Sequence, residues 1–187
     1  MIAARSQFNL GVGAFDATIN NDEPDSRFFD WTGQAQWVRL LAPDTTLLLR
    51  TNLQLASDAL VPLEQFGLGG IESVRGYRQD ALLSDNAAFA SAELRIPLYR
   101  NREQKLLLQL TPFIDFGTSW DSSRRRNTDA DLSISDTLAS VGLGLRLEIS
   151  DRLKARFDWG IPLIDIDSRE RTWQEKGLYF SINYNPF

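Results

Sequence analysis

The sequence contains no cysteine and no histidine. Without cysteine there is no disulfide framework and no thiolate metal centre. Without histidine there is no Ser-His-Asp or Cys-His catalytic arrangement and no histidine-bound zinc. Long apolar runs are missing too. No stretch reaches the roughly 18 apolar residues of a membrane-spanning helix. Met1-Ile2-Ala3-Ala4-Arg5 leads straight into patterned sequence, without the layout of a signal peptide. Lysine is scarce, confined to Lys105, Lys154 and Lys176. The net charge of −5 argues against a nucleic-acid partner. A length of 187 residues fits a single domain, 1–187.

What is present is alternation at period two, the mark of strands with two unlike faces. Strands are expected at 6–14, 31–41, 45–55, 87–98, 105–117, 137–149, 153–162 and 177–187. Leu106, Leu108, Leu110, Ile114 and Phe116 share one face of the fifth, and Gln109, Thr111, Phe113, Asp115 and Gly117 share the other. In the sixth, Val141, Leu143, Leu145 and Leu147 oppose Ser140, Gly142, Gly144 and Arg146. In the seventh, Phe157, Trp159 and Ile161 oppose Arg156, Asp158 and Gly160.

The eight strands are joined by connections that alternate long and short. That is the layout of an antiparallel, up-and-down transmembrane β-barrel with longer extracellular loops and tight periplasmic turns. Aromatic residues near strand ends (Phe28, Phe29, Trp31, Tyr99, Trp120, Tyr184, Phe187) suit interfacial girdles. A soluble ligand-binding barrel would show the same alternation with its faces reversed. Scarce lysine and many small residues on the charged face favour the membrane. With eight strands the barrel is expected to be small, narrow or closed, its first and last strands pairing with each other rather than with a second chain.

The least strand-like segment is the long loop 56–86, expected to be extracellular. Glycines at 67, 69, 70 and 76 surround the single cation Arg75 in Leu68-Gly69-Gly70-Ile71-Glu72-Ser73-Val74-Arg75-Gly76-Tyr77. Such glycine spacing specifies a tight loop, and the loop is expected to aim Arg75 at a target.

This segment resembles the signature loop of the outer-membrane transport and assembly barrels that carry POTRA domains, through Gly69, Gly70, Val74, Arg75, Gly76 and Tyr77. Phe113-Ile114-Asp115-Phe116-Gly117 is similar to that family's strand motif, with Phe113 and Gly117 at its ends. Ala92-Glu93-Leu94-Arg95-Ile96-Pro97 resembles the strand after the loop. Phe180, Ile182, Tyr184 and Phe187 resemble the C-terminal signal read by the barrel-assembly machinery. The resemblance is nearest to the C-terminal half of two-partner-secretion transporters of the hemolysin-activator type. It implies a bacterial outer-membrane location and contact with outer-membrane lipid. It also implies help from the assembly machinery during insertion and, in a full-length parent, a secreted partner protein. In that family the loop arginine meets carboxylates on the inner wall, and the matching residues here are Glu93 and Asp115. The alternation independently puts both on the polar face.

The function expected is therefore protein translocation. The alternatives are an outer-membrane assembly or insertion factor and, in another class, the soluble ligand-binding barrel. No enzyme activity, catalytic residue, metal or cofactor is expected. Gly142 and Gly144 lie mid-strand, as small interior residues rather than a dinucleotide loop. Residues 129–136 lack the glycine and glutamate of a calcium loop. Arg124-Arg125-Arg126 and the aspartates Asp165 and Asp167 are read as solvated loop residues.

Overall fold

The computed structural model describes residues 1–12, 27–122, 136–150, 152–166 and 172–186. Phe187, Asp167, the Arg124-Arg125-Arg126 run, most of 129–136 and the end of the first expected strand lie outside the described residues. Ten strands are described: β1 (Ile2–Leu10), β2 (Phe29–Ala42), β3 (Thr45–Ala56), β4 (Phe66–Leu68), β5 (Leu82–Ser84), β6 (Asn86–Asn101), β7 (Leu106–Trp120), β8 (Asp136–Ile149), β9 (Leu153–Pro162) and β10 (Leu178–Tyr184). Eight of them form one antiparallel sheet in the order β1-β2-β3-β6-β7-β8-β9-β10. The remaining two, β4 and β5, pair as a hairpin inside the long loop.

Register fixes the two faces. Phe8 faces Trp31, Trp31 faces Leu55, and Leu47 faces Leu94. Ala90 faces Phe116, Phe116 faces Ala139, and Val141 faces Ile161. These outward positions form a continuous apolar surface. Ile114 is 54% exposed while its neighbour Asp115 is 1% exposed. Trp159 is 48% exposed beside Asp158 at 0%. A soluble barrel buries its apolar side; this sheet buries its polar one, as a wall in lipid does. The soluble reading is thereby set aside. No described helix is long and apolar enough to cross a membrane.

Several boundaries differ from expectation. β1 begins at Ile2, because its backbone pairs with β2 as far as Trp37. β6 and β7 run further than the expected turn at residue 99. Tyr99, Arg100 and Asn101 continue to pair, with Leu108, Leu107 and Leu106, leaving a turn of four residues. The loop 56–86 is not irregular throughout, since the β4–β5 hairpin carries it out and back.

The larger correction concerns closure. Among the described residues no ladder joins β1 to β10. The physical reason is the loop, whose residues Leu68, Val74, Arg75 and Tyr77 are buried against the concave face. A ring of eight strands has an interior about wide enough for its own side chains and no more. A sheet that also houses a folded loop needs a larger circumference, so it stays open over these strands.

Candidate functional site: an arginine-tipped loop on the polar wall

The loop is anchored at its base before it crosses the wall. Asp85 is fully buried. Its Oδ1 accepts from the Leu60 amide at 2.9 Å and from Gln65 at 3.1 Å. Its Oδ2 accepts from the Ser122 amide at 3.0 Å. The side chain of Asn86 accepts from the Ala56 amide at 2.8 Å. Beyond this base the hairpin leads to a tip stitched by Ser73, whose Oγ lies 2.9 Å from both the amide and the carbonyl of Gly69. The Gly70 amide donates to the Tyr77 carbonyl at 3.1 Å. Leu68, Val74 and Tyr77 join Ala87, Phe89 and Leu138 in one buried cluster, which glues the tip to β6 and β8.

Arg75 is fully buried at the end of this tip. Its Nε donates to Asp115 Oδ2 at 2.7 Å and its Nη2 to Asp115 Oδ1 at 2.9 Å. The Arg75 amide also donates to Asp115 Oδ2, at 3.1 Å. Nη1 donates to Glu93 Oε2 at 2.8 Å and lies 3.5 Å from Asp158 Oδ1. The guanidinium carbon sits 3.4 Å from the centre of the Phe113 ring. The planar fork makes this possible, since two parallel N–H bonds to one carboxylate leave a third nitrogen for another. The aromatic face adds cation–π attraction in a desolvated setting. Ser91 Oγ donates to Asp115 Oδ1 at 2.6 Å and so fixes that carboxylate.

Glycines and one tyrosine create the space. Gly76 has φ of 102°, in the left-handed region, and lies against Gly160. A Cβ on Gly117 would come within 2.9 Å of both Leu68 and Val74. On Gly142 it would fall 2.3 Å from the Phe113 ring. Tyr179 on β10 receives the Gly76 amide on its hydroxyl at 3.0 Å and donates to the Tyr77 carbonyl. The Tyr77 hydroxyl lies 2.9 Å from the Ala139 carbonyl and 2.8 Å from the Ile164 carbonyl, bridging β8 to the segment after β9.

The structure thus brings together Arg75, Glu93 and Asp115, with Phe113 and Gly117 beside them. Phe180, Ile182 and Tyr184 are exposed on the outward face of β10 and take no part in the site. Sequence reasoning did not assign Asp158, Tyr179, Ser91 or Asp85 to the loop contacts. Asp158 carried a faint signal, an acidic residue between Arg156 and Gly160 on the polar face. Asp85 carried none. Among the described residues no group of acidic side chains could hold a metal ion.

A sheet that turns its apolar side outward and seals a charged loop against its polar side is built for an outer membrane, as a wall of a β-barrel. The Omp85 superfamily domain model matches residues 9–185, and the chain belongs to that superfamily. It is 32% identical to the outer membrane protein assembly factor BamA of Nitratidesulfovibrio vulgaris, over 74% of this chain and 18% of that protein. It is 28% identical to the chloroplastic outer envelope protein 39 of Arabidopsis thaliana, over 66% of this chain and 30% of that one. The fold is similar to that of CdiB from Escherichia coli, with a TM-score of 0.76 and 24% identity, over 97% of this chain and 32% of CdiB. The chain therefore spans less than a third of each of these relatives.

Proposed function

We propose that this chain is the loop-bearing wall of an outer-membrane protein-translocation barrel of the two-partner-secretion type. In this reading the Arg75 tip is a plug held on one part of the lumen wall. The observation that carries it is the uneven filling of the concave face. The loop buries Ser91, Glu93, Asp115, Ser140 and Asp158 on the polar side of β6 to β9, while Arg5, Gln7 and Gln34 on β1 and β2 stay exposed and Asn9 half-buried. Arg5 donates to Gln7 at 2.7 Å and Gln7 to Asn9 at 2.8 Å, so this bare part is a hydrophilic ladder suited to a passing, hydrated polypeptide. The chain works by conformation and passage, without bond-making chemistry. Its partners are outer-membrane lipid, the assembly machinery during insertion and a secreted protein delivered to the parent. The loop 56–86 lies on the extracellular side.

Removing residues 62–82 should test this in planar bilayers. The intact protein is expected to be quiet, and the shortened loop to give larger, longer-lived conductance steps. Equal conductance from both would overturn the plug reading.

A second reading, an assembly or insertion factor, is favoured by the 32% identity to BamA. Faster insertion of a second barrel protein into liposomes, unaffected by the loop deletion, would select it.

A further inference from the structure

Below the clamp lies a group of cations that the loop does not use. Arg146 on β8 stands directly opposite Arg156 on β9 in the strand register, both on the polar face. Like charges directly opposite each other destabilise a sheet. Besides Arg156, the charges that act on Arg146 are those of Arg95, Glu93 and Glu148.

The carboxylates are already engaged. Glu93 gives Oε2 to Arg75 at 2.8 Å and Oε1 to Arg95 at 2.9 Å. Both oxygens of Asp115 bind Arg75. Asp158 forms ion pairs with Arg156 and with Arg75, though neither of its oxygens accepts a hydrogen bond among the described residues. Glu148 faces Lys154 across the ladder. Arg75, Arg95, Arg146 and Arg156 thus meet three clamp carboxylates, and one positive charge is left over. The Arg146 side chain makes no hydrogen bond or close ion pair among the described residues, and Glu93 and Glu148 attract it only from further off. Arg156 supplies a second, independent sign: its Nη2 is buried without a hydrogen-bond acceptor, 3.8 Å from the already occupied Glu93 Oε2.

We propose that Arg146, with Arg156 and Arg95 beside it, forms an oxyanion-binding site on the interior wall beneath the loop. An oxyanion between the guanidiniums would accept their unused N–H groups in the planar, two-point manner that arginine favours. It would also relieve the repulsion across the β8–β9 ladder. Arg146 is half-buried, so a small anion reaches it from the lumen. The same chemistry is offered by a free phosphate and by carboxylates on an acidic polypeptide.

The test uses the whole refolded chain in neutral detergent, at constant ionic strength balanced with chloride. The temperature of its folded-to-unfolded band shift is followed against inorganic phosphate and, separately, against a glutamate-rich peptide. A ligand that binds only the folded state raises this temperature. The wild type is expected to rise with at least one probe. Phosphate alone would identify a free anion as the source; the peptide alone, or better than phosphate, would identify a polypeptide. Arg146→Gln should weaken the effect at least tenfold in probe concentration without lowering the midpoint in chloride. If Arg146→Gln does not fold, Arg146→Lys keeps the charge but not the fork, and should still bind more weakly than wild type. No rise with either probe, or a rise unchanged in these variants, would overturn the site.

Discussion

Gly76 and Gly160 meet backbone to backbone: a Cβ on Gly160 would lie 2.5 Å from the Gly76 amide nitrogen. The loop tip touches β9 where the wall has no side chain. Gly160→Ala is therefore expected to push the tip off the wall at a cost of about 1–3 kcal/mol, the usual range for overpacking. Limited proteolysis within 62–82 should speed up while the strand circular dichroism stays unchanged. A loop as resistant as the wild type's would show that the contact has slack.

The Arg75 clamp should behave as one unit. Arg75→Ala leaves buried carboxylates without their cation, and Asp115→Ala leaves the guanidinium without its two-point partner. Each single change is expected to cost about 3–5 kcal/mol. The double variant should cost clearly less than the sum, as residues in one network do. Arg75→Lys should not rescue, because an ammonium cannot reach two carboxylates in the fork geometry. Strict additivity in denaturant unfolding would show that the clamp residues are not coupled.

Tyr179 ties the last strand to the loop through one hydroxyl. Tyr179→Phe keeps the ring and removes the acceptor for the Gly76 amide and the donor to the Tyr77 carbonyl. A loss of about 1–3 kcal/mol is expected for the groups left unsatisfied. Amide exchange should quicken at residues 74–78 and not along β7 or β8. Uniform quickening across the sheet would instead mark Tyr179 as a general stability residue.

The two faces predict different failures. Leu145→Arg places a charge on the outward face and should cost about 2–4 kcal/mol near the bilayer midplane. The alternation alone suggests that arginine at Ser140 is tolerated better. The structure corrects this, since Ser140 is fully buried and its Cβ lies 3.3 Å from where a Cβ on Gly76 would be. Ser140→Arg should still insert, and eject the loop; Leu145→Arg should insert poorly with its loop unaffected. Gel mobility in lipid, read together with loop proteolysis, separates the two.

Strand number in the sheet, strand order and the polarity of each face were legible, because period two is a local property of the chain. The 153–162 strand was read to the residue. The polar-face positions of Glu93 and Asp115 followed from the same alternation. Inside versus outside was harder, since an apolar stripe looks alike against lipid and against a core; only packing the loop on the polar side decides it. Tyr179 and Asp158 were missed because their partners are brought near by the sheet rather than by the sequence. Tyr179 lies 102 residues from the Tyr77 carbonyl that it meets. The hairpin of β4 and β5 was missed because three residues per strand are too few to show a period.

The open ends of the sheet carry a rule of parity. β1 pairs only with β2 and β10 only with β9 among the described strands, and every ladder is antiparallel. Along such a meander direction reverses at each step, so the first and eighth strands run opposite ways. A ring in which all neighbours oppose can close only over an even total. Whatever spans the gap between β1 and β10 must therefore bring an even number of strands, from any source, or leave one parallel seam.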